Sequence, residues 1–183
     1  MGMILVATML RADELAAVHE SQDALGALIE EQPGDDGRSI DIDKAWHGIH
    51  FLLTGTEDLV QGRATEARRW RFGRGRARAA HPVGAESLAV LGGEPVGGDV
   101  GYGPARVLTA AQVADVAAAL EPMDRETLGR RVDLDAMGAA ELYPQIWDEP
   151  DVYEEYLGPH YDELRSFYLR AAAAEAAVLL SIT

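Results

Sequence analysis

The spacing of hydrophobic positions divides this chain into short elements before any residue needs a chemical role. Residues 3–9 (MILVATM) form a short apolar run, the pattern of a buried strand, although periodicity alone leaves a buried helix open. Along residues 12–31, Leu15, Val18, Leu25, Leu28 and Ile29 recur at helical spacing with acids on the other side, which predicts one amphipathic helix. Pro33, Gly34, Asp35, Asp36 and Gly37 end it. Residues 43–54 (DKAWHGIHFLLT) predict a second helix, with Asp41 or Asp43 capping its first turn and Gly55 closing its end. Further on, Leu88–Leu91 reads as a strand, 92–103 with its six glycines as a loop, and 105–108 as a third strand. Thr109 caps a helix that runs to about Leu120 and stops at Pro122. Asp124 caps a short helix over 125–131, and 135–142 is helical up to Pro144. A last helical region covers 151–175 with a break at Gly158-Pro159, and 177–183 closes as a strand. Helices alternating with a few short strands predict a layered α/β arrangement.

Composition narrows the class. A length of 183 residues fits one domain with a core that needs no staples. No internal repeat or linker interrupts it. The absence of cysteine excludes disulfides, thiolate nucleophiles and cysteine-held metal clusters. No basic segment precedes the apolar start, Asp13 and Glu14 follow at once, and Glu175 breaks the late apolar run. The expectation is a cytoplasmic protein without a membrane partner.

The net charge of -15 sets nucleic acid aside for the body of the protein, since binding there is mostly phosphate neutralisation. The charge is uneven, however. Residues 63–78 carry seven arginines (Arg63, Arg68, Arg69, Arg71, Arg74, Arg76, Arg78) against Glu66, a net +6, and the remainder sums to -21. This insert, at about 62–82, interleaves Trp70 and Phe72 with its arginines and is the one place suited to phosphates and bases. Contact with the acidic helices or with a second copy of the chain is the leading reading, a solvated insert the next, and nucleic acid the last.

Five stretches together resemble a known family: MGMI at 1–4, DIDKAWHGIHFLLTG at 41–55, VLGG at 90–93, GYGPAR at 101–106 and LYPQIW at 142–147. The chain resembles, nearly end to end, the YfbM-like family of uncharacterised bacterial proteins, a domain of unknown function. That resemblance implies a single domain over 1–183 with a three-layer αβα sandwich. It implies no activity and no cofactor, and the arginine-rich insert departs from the family's pattern.

The candidate chemistry centres on the 43–54 helix. At 100° per residue, Asp43, His47, His50 and Thr54 fall within about 60° of one another. One carboxylate and two imidazoles on a stripe suit a divalent transition metal with positions left for water, or a carboxylate–imidazole pair for general base work. The same residues also serve as a helix cap and hydrogen-bonded core histidines; no metal is assigned. Lys44, the chain's one lysine, lies in the same stretch and offers a compact charge of shiftable pKa. The glycine segment lacks a phosphate-loop pattern, but Tyr102 and Arg106 can border a pocket. Tyr143 and Trp147 follow a helix end, where aromatics line a cleft or plug a core edge. Asp148, Glu149, Asp151, Glu154 and Glu155 form a solvated face or meet a basic partner. No serine sits in a GxSxG elbow. The leading expectation is a binding or protein-interaction module, taking a basic protein or a second copy. The alternative is a hydrolase-type enzyme built on Asp43, Lys44, His47 and His50, with those side chains converging on one pocket with Tyr102 or Tyr143.

Overall fold

A computed structural model describes residues 2–31, 33–34, 36–56 and 84–183. The arginine-rich insert therefore lies outside the described residues. The elements are β1 (Leu5–Leu10), α1 (Ala12–Glu20), α2 (Gln22–Glu30), β2 (Ser39–Asp41), α3 (Trp46–Thr54), α4 (Leu88–Leu91), β3 (Glu94–Asp99), β4 (Pro104–Leu108), α5 (Ala110–Leu120), α6 (Arg125–Gly129), α7 (Leu134–Ala139), α8 (Gly158–Ala173) and β5 (Ala177–Ile182).

The five strands make one antiparallel sheet in the order β2-β1-β5-β4-β3. Alternation along the strands loads both faces. Leu5, Ala7, Leu108, Val178 and Leu180 face a thick helical layer that includes α3, α5 and α8, with Ile49, Val116 and Phe167 in the same core. Leu10, Val96, Ala105, Val107 and Leu179 face a thin layer, Val18 of α1 and Leu25 of α2. A sheet covered on both sides is the expected three-layer α/β sandwich.

Several elements differ from the sequence expectation. The helix over 12–31 is two helices, because Ser21 turns extended at φ -136° and its hydroxyl accepts from the Ala24 amide, starting α2. Leu88–Leu91 is helical rather than a strand. Four apolar residues carry no period of their own, and here Ala89, Val90 and Leu91 all bury in the thick layer while the Tyr168 hydroxyl takes the Ala89 carbonyl. The glycine segment 92–103 is only partly loop: Glu94–Asp99 is the sheet's edge strand, where Pro and Gly are tolerated. Gly93 is required there, since at φ +89° a Cβ would meet the Val107 carbonyl oxygen at 2.5 Å.

The short edge strand β2 carries no signal beyond Ile40; its Ser39 hydroxyl bonds Thr8 of β1 at 3.0 Å. The break expected at Gly158-Pro159 does not occur. A wide turn at Tyr153–Leu157, closed by the Gly158 amide on the Tyr153 carbonyl, leads directly into α8. Pro159 then falls in the first turn of α8, where its missing N–H costs nothing. Thr109, Asp124 and Gly55 cap their helices as expected.

Candidate functional site

The turn that launches α3 is built from Asp43–Ala45. Asp43 sits in the left-handed region at φ 47°. Its amide donates to Asp41 Oδ1 at 2.7 Å, and α3 itself starts without a side-chain cap. The Asp43 carboxylate accepts from the Tyr156 hydroxyl at 2.7 Å, and the same hydroxyl accepts from the Lys44 amide at 3.1 Å. Burial, followed by the hydrogen bond to Asp43, pushes the Tyr156 pKa above its ordinary value. Tyr143 joins from the segment after α7. Its amide donates to His47 Nδ1 at 3.1 Å, and its hydroxyl accepts from the Met3 amide at 3.3 Å. With Nδ1 accepting, a neutral His47 carries its proton on Nε2. The His47 ring stacks on Trp46 at 4.9 Å and 11°, and the Trp46 indole N–H donates to the Met3 carbonyl at 2.9 Å. The Lys44 side chain packs on Gly2, where an added Cβ would stand 2.4 Å from its Cε.

Asp43, Lys44, His47 and Tyr143 thus meet in one polar cluster that clamps the segment Gly2-Met3 to the body. Asp43 lies in the turn before α3, and His50 is buried with its carbonyl bonded by the Thr54 hydroxyl at 2.8 Å. Sequence reasoning missed Tyr156. No local signal marks it, because the wide turn before α8 is what aims its hydroxyl at Asp43.

Tyr102 and Arg106 come together elsewhere. With Trp46, Leu91, Leu180 and Ile182 they line a cavity of about 210 Å³. Arg106 donates through Nε to the Gly92 carbonyl at 3.2 Å and through Nη2 to the Gly93 carbonyl at 2.9 Å. Burial lowers its pKa from the ordinary value. Tyr102 is 60% exposed.

Trp147 is a core residue, 6% exposed, with its indole N–H on the Leu142 carbonyl at 2.8 Å. Its ring lies on Gly48 of α3, where an added Cβ would approach to 2.7 Å.

The acidic residues collect around α7 and the approach to α8. Residues 132–164 hold ten Asp and Glu and no Lys or Arg. An open groove of about 490 Å³ is lined by Asp135, Glu141 and Asp148. A second, of about 370 Å³, begins at the adjoining residues and is lined by Glu149, Asp151 and Glu155. All six are exposed, and none of them forms an ion pair with a described residue. Among the described residues no three His, Asp or Glu side chains are placed to hold a metal ion, and no helix is long and apolar enough to cross a membrane.

A protein-family model described as a domain of unknown function (DUF1877) matches residues 1–181. No curated protein matches. Among solved structures the chain is similar to a protein of unknown function, YfbM from Escherichia coli. The two are 21% identical over 99% of this chain and 100% of that one, with a TM-score of 0.68. At that identity the likeness speaks for the fold.

Proposed function

The chain belongs to the DUF1877 family, a domain of unknown function, and from its own geometry we propose that it is a binding module whose acidic face takes a basic protein segment. The observation that carries this reading is the pair of adjoining grooves. Six exposed carboxylates line them without a cation among the described residues to balance them. Like charges gathered this way repel one another, and a cationic segment removes that repulsion as it binds. Arginines suit the role best, because each guanidinium can hold a carboxylate bidentately.

The polar cluster at Asp43 supports the same reading. Asp43 and His47 hold Tyr156 and Tyr143 by hydrogen bonds inside the molecule. Neither the two acidic grooves nor the cavity at Arg106 is lined by Asp43, Lys44, His47 or His50. These residues shape the fold around the chain's first residues, which favours binding over the hydrolase-type alternative.

Fluorescence anisotropy of a labelled arginine-rich peptide tests the proposal, with a glycine–serine peptide of equal length as control. Binding at low salt is expected to weaken at least about tenfold when ionic strength rises from about 0.01 to about 0.15 M, as exposed charges become screened. The triple variant D135N/D148N/E149Q is expected to lose most of that binding. Equal affinity in the triple variant, or no binding at low salt, rejects the acidic face as the site.

A further inference from the structure

The cavity beside Arg106 lies apart from the acidic grooves and has a different chemistry. Its walls are apolar: Val90 and Leu91 of α4 on one side, Leu180 and Ile182 of β5 on the other. Trp46 contributes only its hydrocarbon, because its indole N–H is already bonded to the Met3 carbonyl. One charged group stands in this setting, the guanidinium of Arg106.

That guanidinium is held in place and left without a counterion. Two of its five N–H groups reach the Gly92 and Gly93 carbonyls, which fixes its orientation. The other three have no acceptor among the described residues, and no described carboxylate forms an ion pair with it. By contrast, Arg38 pairs with Glu14 at 2.8 Å and Arg125 with Glu154 at 3.0 Å. A partly desolvated cation with free donors gains from an anion that brings two acceptor atoms in a plane.

The mouth points the same way. Tyr102 is the one large apolar side chain that stands exposed among the described residues, and it borders this cavity. Its amide donates to the Ile182 carbonyl at 3.2 Å, so the ring is anchored at the opening rather than on a free loop. An anchored aromatic over an apolar chamber is positioned to cover a flat ligand body.

We infer that this cavity binds a small monocarboxylate with a flat apolar body. The carboxylate lies on the free Nη1 and Nη2 hydrogens of Arg106, and the body lies between Tyr102 and the wall of Leu91 and Leu180. The volume of about 210 Å³ equals about seven water-sized groups, which admits one ring and excludes a dinucleotide or a peptide.

Benzoate and its neutral isostere benzamide are the probes, titrated into the whole protein and followed by amide and indole chemical shifts. Benzoate is expected to bind saturably at about 1 mM or tighter, shifting the Trp46 indole and Tyr102 amide signals. Benzamide is expected to bind at least tenfold more weakly. Arg106→Gln is expected to abolish benzoate binding. Because Arg106 also ties down Gly92 and Gly93, Tyr102→Ala serves as the second variant. Its exposed ring leaves the fold intact, and benzoate affinity is expected to fall three- to tenfold. Equal binding of the two probes removes carboxylate recognition. Shifts that map away from Trp46 and Tyr102, or no saturation by benzoate, overturn the site.

Discussion

Replacing Tyr156 by Phe deletes one oxygen atom and with it both bonds that fix the start of α3. The lost donor bond, 2.7 Å to Asp43 Oδ2, engages a charged acceptor, a class worth about 1.5–3 kcal/mol. The lost acceptor role, 3.1 Å from the Lys44 amide, belongs to the neutral class at about 0.5–1.5 kcal/mol. Asp43 and Lys44 are both partly exposed, so water recovers some of each term, and the expected loss is about 2 kcal/mol. Asp43 is also held at φ 47°, a conformation that costs a non-glycine residue about 1–3 kcal/mol and persists only where neighbours impose it. Urea unfolding followed by circular dichroism measures the loss, with Tyr102→Phe as the control that removes an exposed hydroxyl. Asp43→Asn keeps a residue that tolerates the left-handed region and supplies the second arm of a double-mutant cycle. A coupling of about 1–2 kcal/mol between Y156F and D43N is expected. If Y156F stays within about 0.5 kcal/mol of wild type, or the two changes add without coupling, the clamp does not hold this turn.

Three further outcomes are expected. Gly48→Ala gains helix propensity of about 1 kcal/mol but drives a methyl to 2.7 Å from the Trp147 ring and 3.0 Å from Leu157. Net destabilisation of about 1–2 kcal/mol is expected by urea unfolding, relieved when Trp147→Leu is added; a more stable G48A refutes the contact. Stability is expected to fall at alkaline pH, because burial raises the pKa of Tyr153 to about 12 and those of Tyr156, Tyr161 and Tyr168 also upward. The folded chain keeps protons that the unfolded chain releases near pH 10. The contribution is therefore complete below about pH 10 and disappears as pH climbs through the raised values, which thermal melts across that range will show. Thr109→Ala breaks a reciprocal cap in which Thr109 Oγ accepts from the Gln112 amide at 3.3 Å and Gln112 Oε1 accepts from the Thr109 amide at 2.9 Å. A loss of about 1 kcal/mol is expected, read as a lower melting temperature.

Local signals were the ones that the sequence alone could carry. Thr109, Asp124 and Gly55 mark helix ends through bonds and dihedral angles confined to a few residues, and each is where its type predicts. The lone strands β2 and β3 were hidden for the opposite reason. Edge strands need only one partner, so Pro95, Gly97 and Gly98 survive where a central strand would reject them. The run at Leu88–Leu91 is too short to show a period, and contact with the thick layer decided it as helix. At the site, the sequence singled out Asp43, Lys44, His47 and Tyr143 one by one. It could not show that they meet, because Tyr156 reaches Asp43 only through the widened turn before α8. The stripe drawn from 100° spacing failed at Asp43 for a related reason: its left-handed backbone takes it out of the helix.

The middle of the sheet has a consequence for how the chain comes into being. Its central pair joins β1 to β5, with Leu5 opposite Ile182 and Leu10 opposite Ala177. β1 therefore waits for β5, which is synthesised long after it. Until then β1 has only the short strand β2 to pair with, and its other hydrogen-bonding edge stays open, while α5 to α8 can already gather around nearer neighbours. Long-range pairings of this kind close slowly and late. A chain halted before residue 177 keeps its helices and lacks the strand that joins both halves of the sheet, and it is in this interval that the protein is most exposed to mispairing with other unfinished chains.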